Sequence, residues 1–365
     1  MKVYPIWFDS LGAKSMCVLI ETPDIRLLID PGAAIMQPRY PAPTELKIYY
    51  LELALEALVA AAAHSTHIAI THYHYDHFRP DIPQLTRGKI LWIKDPNRWI
   101  NRSQWGRARE FLSILAADRG VALEEVPPGA GEYPDPLDEL PRAREDGAPE
   151  ELRKKWRKRF RGLVRIWERG PWVPADPFAG EVMYADGRTF RVGDTVVRFS
   201  PPLFHGVEYA SPGWVLAVVV EHGGEKLLYS SDLQGPIVED YVGWIADEAP
   251  DILILDGPAT YLRGPLQSEA TLRRAIRNCT EAVRRARVTI LDHHLAREPK
   301  FREACREAFS AGAITGAEAL GLRPLTDRLR EWKEAGTLHE VMEEARAGAL
   351  DRDLPTRGLT VALHP

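Results

Sequence analysis

The sequence of 365 residues predicts an α/β protein in which mixed sheets are covered by helices. Three observations carry that prediction. Short β-branched and aromatic runs recur in both the N-terminal and the later part of the chain. Helical periodicity separates some of these runs. A central stretch with little alternation interrupts the series and reads as an insertion. At 45% hydrophobic and 27% charged, the composition is that of a globular chain and excludes a disordered or fibrous one.

The elements follow in order. Runs at Lys2–Phe8, Met16–Glu21 and Arg26–Asp30, parted by Gly12 and by Pro23-Asp24, read as consecutive antiparallel strands. Glu45 to Ala63, rich in alanine and leucine, reads as a helix. His67–Thr71 is a strand leading into the loop HYHYDHF, and Ile90–Lys94 is another strand. Residues 96–187 are expected to be a charged, largely helical insertion, a lid over the site described below. Glu124 to Glu150 carries nine acids against Arg142 and Arg144; Glu151 to Gly170 carries nine Lys and Arg against Glu151 and Glu168. Within the basic block Leu152, Trp156, Phe160, Leu163 and Trp167 recur at helical spacing. Strand signals return at Thr189–Val192, Thr195–Phe199, Val215–Glu221, Lys226–Ser230, Ile252–Asp256 and Val288–Leu291, with a helix at Glu269–Arg285. The expected organisation is a sandwich from 1–95 and 188–298, the insertion 96–187, and a helical C-terminal extension, 299–365, packing on the sandwich.

Charge and cysteine usage narrow the class. A net charge of -5 supplies no overall basic field for nucleic acid, so any such contact needs a local patch. Cys17, Cys279 and Cys305 are too few and too scattered for a disulfide framework and read as buried thiols in a reducing compartment. The N-terminal residues have no signal-peptide core, and Leu51 to Ala63 is broken by Glu52 and Glu56. A soluble, cytoplasmic protein with no membrane partner is expected.

The chemistry concentrates at Thr71-His72-Tyr73-His74-Tyr75-Asp76-His77. Three histidines and an aspartate straight after an apolar strand make a poor core and a good metal loop. Residues two apart on a strand end point the same way, so His72 and His74 can grip one ion. The following turn lets Asp76 and His77 address a second. Imidazole and carboxylate together suit zinc, with manganese or iron as alternatives. Further ligands must come from other strand ends: His205 after RFSPPLF, Asp232 after LLYSS, and His293 and His294 after VTILD. Asp256 in ILILDGP ends another such strand and either supports the site or caps a turn. His64 and His67 read as structural, and Tyr73 and Tyr75 as packing residues pointing away from the ions.

This order of residues resembles the metallo-β-lactamase-fold hydrolase superfamily: an early Asp (Asp30 in LLIDPG), an HxHxDH loop, then His205, Asp232 and His293. SLGAKSM, LLIDPG, THYHYDH and SSDLQGP look like an uncharacterised, mostly archaeal branch of metallo-hydrolases. The resemblance implies an αββα sandwich with two metal ions at one sheet edge. It implies His72, His74 and His205 on one ion, Asp76, His77 and His293 on the other, and Asp232 between them. Asp76 and Asp232 are then the catalytic carboxylates, and Asp30, His294 and Asp256 support the ligands. His293 is preferred to His294 as the last ligand because it falls in the frame after Ile290-Leu291-Asp292. Adjacent residues leaving a strand face opposite ways, so only one of the two is expected in the metal sphere, the other facing away.

The function expected is a dinuclear metal-dependent hydrolase, a hydroxide held between the ions attacking an ester, lactone or phosphoester. The alternatives are a nuclease or phosphodiesterase gripping nucleic acid through Arg153–Arg169, and a metal-binding protein without turnover. The extra domain of the superfamily's β-CASP nucleases does not fit in the 23 positions between Asp232 and Leu255. A small-molecule or phosphoester substrate is therefore preferred.

Overall fold

The computed structural model describes residues 1–145, 150–264 and 267–364. Part of the acidic block, residues 146–149, lies outside them. Six strands form the first sheet in sequence order: β1 (Lys2–Phe8), β2 (Met16–Glu21), β3 (Arg26–Ile29), β4 (His67–Ile70), β5 (Ile90–Ile93) and β6 (Val182–Tyr184). The β1–β2 and β2–β3 pairs are antiparallel, and β3 to β6 run parallel. Val182–Tyr184 falls inside the range expected as insertion, yet it completes this sheet beside β5.

The second sheet comprises β7 (Thr189–Val192), β8 (Thr195–Phe199), β11 (Val218–His222), β12 (Glu225–Tyr229), β13 (Ile252–Asp256) and β14 (Val288–Asp292). Between β8 and β11 the chain leaves for a short separate ribbon, β9 (Leu203–Phe204) with β10 (Trp214–Val215). The single strand expected over Val215–Glu221 is thus two. Leu216 N–H donates to the Thr71 carbonyl at 3.2 Å and Ala217 N–H to Ser200 Oγ at 2.9 Å, so the ladder breaks there and the end of the first sheet is tied to the second.

Why the sheets stack is legible in their burial. Val18, Ile20, Leu27 and Ile29 of one sheet meet Val197, Val218, Val220, Leu227 and Ile254 of the other in a dry core. Their opposite faces carry apolar residues too, which is why β4 and β13 are buried throughout and read as continuous apolar runs. Helix α1 (Thr44–His64) covers the first sheet with Leu46, Tyr50, Leu53, Ala54, Ala57, Leu58 and Ala61, one stripe at helical spacing. Helices α2 (Arg102–Asp118), α3 (Pro141–Glu145) and α4 (Glu150–Arg169) follow β5 in the chain. Helices α5 (Glu239–Glu248) and α6 (Glu269–Val283) cover the second sheet, Cys279, Ala282 and Val283 packing on Leu253 and Leu291. The result is four layers, αββα.

The tail continues as α7 (Phe301–Ala304), α8 (Arg306–Ser310), α9 (Gly316–Ala319), α10 (Leu325–Glu334), α11 (Leu338–Arg346) and α12 (Leu354–Arg357). It returns to the first sheet, where Leu363 and Val3 exchange backbone hydrogen bonds of 2.8 and 3.2 Å. No helix among the described residues is long and apolar enough to cross a membrane.

Candidate metal centre

Strand direction gathers the polar residues. β1, β3, β4, β8, β12, β13 and β14 all run toward one edge, and ligand sites of α/β sheets lie beyond such carboxyl ends. Asp9, Asp30, Thr71, Asp232, Asp256 and His293 leave these strands there, and His205 arrives on the β9 ribbon.

The side chains converge on Asp232, which is 1% exposed. Its Oδ2 lies 3.4 Å from His72 Nε2 and 3.3 Å from His205 Nε2, while its Oδ1 lies 3.0 Å from His77 Nε2 and 3.3 Å from His293 Nε2. His74 Nδ1 sits 3.1 Å from His72 Nε2, and Asp76 Oδ2 is 3.8 Å from His293 Nε2. Four groups have donor atoms close enough to share an ion: His72, His74, His205 and Asp232; Asp76, His77 and His293; Asp30, His72 and His77; and Asp232, His293 and His294.

A carboxylate stands behind three of these six rings. His77 Nδ1 is 2.8 Å from Asp30 Oδ2, His293 Nδ1 2.8 Å from Asp9 Oδ1, and His294 Nδ1 3.0 Å from Asp256 Oδ2. Asp30 also accepts from Thr71 N–H, Thr71 Oγ1 and Tyr229 Oη, so its oxygens are committed to holding the loop. A carboxylate on Nδ1 makes that nitrogen the donor and leaves a lone pair on Nε2. His77 and His293 then aim two lone pairs at each other across 3.2 Å. Arg297 Nη2 lies 3.2 Å from His293 Nε2, and a proton or a metal ion shared by the two rings would relieve the remaining conflict.

The charge balance agrees. Asp9, Asp30, Asp232 and Asp256 are fully buried, Asp76 is largely so, and among the described residues Arg297 is the one guanidinium paired with them, held to Asp9 at 2.5 Å and Asp76 at 3.0 Å. Burial opposes charge on His77 and His293, but Asp232 and Asp30 hold the first well above the ordinary imidazole value, and Asp9 and Asp232 raise the second to about 9. Burial also opposes the Asp232 carboxylate, and His77, His294 and His293 outweigh it, holding its pKa well below the usual range. Burial lowers His72, His74 and His205, the last to about 3, so these three stay neutral and fit to ligate. Donor set, charge and facing lone pairs all fit divalent ions.

The expectation that one of His293 and His294 faces away is overturned. His293 has φ +44° and opens a turn of 3-10 helix, so strand alternation has ended, and the two rings lie 4.5 Å apart with His294 Nε2 3.8 Å from Asp232 Oδ2. Asp256 binds His294 and also accepts from Gln234 N–H at 2.7 Å, which joins the two roles considered for it. Tyr73 is buried and donates to the Lys94 carbonyl at 2.5 Å, whereas Tyr75 is 39% exposed. His67 packs on Trp92 and exposed His64 contacts the Ala60 carbonyl.

Three residues of the centre went unread in the sequence. Asp9 closes β1 as Asp30 closes β3, so the strand-end rule could have found it. Arg297 lies one helical turn past His293, a weak signal. Gln104 of α2, with its Oε1 accepting Tyr73 N–H at 2.8 Å and its Nε2 3.4 Å from His74 Nε2, left no signal at all.

Helix α4 is anchored beside the centre. Trp167 donates to the Ile100 carbonyl at 2.9 Å, and Phe160 and Trp167 pack against Trp99 and Trp214, the latter paired with Phe204 next to His205. Of its cations, Arg157 reaches Asp135 at 2.9 Å and Lys154 reaches Glu151 at 3.0 Å. Lys155, Lys158, Arg159, Arg161, Arg165 and Arg169 are exposed and without a carboxylate partner among the described residues.

Comparison with known proteins finds archaeal relatives along almost the whole chain. A UPF0282 protein of Methanopyrus kandleri is 32% identical over 336 residues, 88% of this chain and 94% of that one. A UPF0282 protein of Methanocaldococcus jannaschii is 30% identical over 357 residues, 93% and 99% of the two chains. Among solved structures, the metallo-beta-lactamase fold protein YhfI from Bacillus subtilis is similar at 15% identity and TM-score 0.40, over 86% of this chain and 95% of that one. The isothiocyanate hydrolase from Delia radicum gut bacteria is similar at 13% and 0.41, over 86% and 96%. No protein-family model matches the chain. Its own topology, two six-stranded sheets between helical layers with the HxHxDH loop at their shared edge, is the metallo-β-lactamase fold. The chain belongs to the UPF0282 family.

Proposed function

We propose that this protein is a metal-dependent hydrolase with a dinuclear centre. His72, His74 and His205 would hold one divalent ion, Asp76, His77 and His293 the other, and Asp232 both. The observation that carries this reading is the division of Asp232: one oxygen faces His72 and His205, the other His77 and His293. Zinc suits the imidazole and carboxylate donors, with manganese or iron as alternatives. Such ions supply Lewis acidity and a water acidified to near neutrality, which is the chemistry of ester, lactone and phosphoester hydrolysis.

The chain's own residues do the rest. Asp30 and Asp9 fix the tautomers and orientations of His77 and His293. His77 and Arg297 outweigh burial and keep the Asp76 carboxylate ionised, Arg297 by an ion pair of 3.0 Å. His294, held by Asp256 and kept neutral by burial, presents the Nε2 lone pair to the centre, where it can accept a hydrogen bond from water or a substrate hydroxyl. His74 and Asp76 are half-buried beside exposed Tyr75, so substrate approaches on that side.

The test is metal analysis of the purified protein with assays on ester, lactone and phosphodiester substrates. Two ions per chain and metal-dependent turnover of one class are expected. One ion or none after reloading with zinc or manganese sinks the dinuclear reading; two ions without turnover leaves a metal-binding protein. A second reading, a phosphodiesterase acting on nucleic acid, is favoured by the exposed cations of α4, and predicts affinity that falls steeply with salt.

A further inference from the structure

We infer that Arg107 is an oxyanion-recognition residue at the rim of the centre, and that the substrate carries a phosphate or carboxylate group; this rests on the metal-dependent reading above. Arg107 lies one turn after Gln104 on α2, so both face the metal loop. Its Nη1 donates to the Tyr73 carbonyl at 3.2 Å, between His72 and His74 in the chain. Its guanidinium carbon sits 4.7 Å over the ring of Tyr75, between His74 and Asp76. That ring is backed in turn by Phe78, with centroids 5.6 Å apart and planes 24° from parallel.

The cation–π contact and one hydrogen bond together hold the guanidinium in place. Among the described residues, the donors on Nε and Nη2 have no hydrogen-bond partner and Arg107 has no carboxylate partner. This separates it from Arg297, whose charge is committed to Asp9 and Asp76. A half-buried guanidinium held at two points, with donors left over in its plane, can take a carboxylate or phosphate in bidentate geometry. Its contacts with Tyr73 and Tyr75 put that anion beside the loop that carries His74 and Asp76. A guanidinium that only braced the loop would need the Tyr73 contact and nothing more.

The test titrates inorganic phosphate, and separately succinate, into metal-loaded wild type, R107Q and R107K by calorimetry, with metal content measured on each. R107Q retains an amide donor for the Tyr73 carbonyl, and R107K retains the charge without the fork. Affinity for at least one anion is expected to fall about tenfold or more in R107Q and by less in R107K at unchanged metal content. The more tightly bound of the two anions names the substrate's group. Equal affinities in wild type and R107Q at equal metal content overturn the assignment. If wild type fails to load two ions, the dinuclear reading fails by itself, and phosphate titration of the metal-free proteins decides Arg107: a tenfold difference sustains it, and equality overturns it.

Discussion

Asp9 and Asp30 stand in equivalent places, each at the end of a first-sheet strand and each 2.8 Å from the Nδ1 of a histidine of the second ion group. Replacing either with Asn keeps the shape and removes the charge that orients the ring. Metal affinity is expected to fall about ten- to a hundredfold in D9N and D30N, read by competition with a chromophoric chelator. D232A should do more, because one carboxylate faces both ion groups; loss of both ions is expected, and retention of two would refute its bridging place. Protons compete for the same nitrogens. In the metal-free chain His293 is raised to about 9 against 6.5 for the free side chain, so at pH 7 an incoming ion must displace a proton. Apparent affinity should climb with pH and level off above about 9, with proton release seen as a buffer-dependent heat. A raised folded-state pKa contributes stability that is complete below 6.5 and lost as pH rises through about 9. Chelated protein should therefore lose thermal stability across that window.

At the scale of elements, the close approach of the β3 end to the metal loop leaves no room at Gly32. A Cβ there would lie 2.1 Å from Phe78 N and 2.3 Å from the His77 carbonyl carbon, both backbone atoms. G32A should push the loop outward and lower metal occupancy more than it lowers the melting temperature of metal-free protein; an unchanged metal content would show that the loop can give. Helix α4 is held differently, by aromatic packing. Trp167 is fully buried, and W167A should cost about 3–5 kcal/mol in denaturant unfolding. Its apolar stripe was readable from spacing, and so was α1, expected over Glu45 to Ala63 and found over Thr44–His64. The β9–β10 ribbon was not, because its boundary depends on Leu216 and Ala217 donating to partners far away in the chain. The turn at His293 was missed for a like reason. Asp292, which accepts from Ser10 N–H at 3.0 Å, Gly316 N–H at 2.8 Å and His293 N–H at 2.7 Å, closes the strand one residue past the expected Leu291 and fixes the turn that follows.

For the whole molecule, the proposed metal centre would make stability depend on bound metal, because its carboxylates are buried at the shared edge. Ions that bind the native chain and not the unfolded one add about 4 kcal/mol at a thousandfold excess over Kd. Chelation should therefore lower the melting temperature, and zinc or manganese should restore it. The sequence by itself determined the layers and most of the centre. Apolar runs of strand length, stripes at helical spacing and polar residues at strand ends are local patterns, and the parallel strands carry those ends to one edge. Tertiary structure decided what local pattern cannot express. It set Asp9 behind His293, Arg297 between two aspartates, both His293 and His294 against Asp232, and Arg107 over Tyr75. Each is a contact between segments distant in the chain or beyond the last residue of a strand, where alternation no longer fixes direction. There, packing of one layer on the next chooses which donor meets which acceptor.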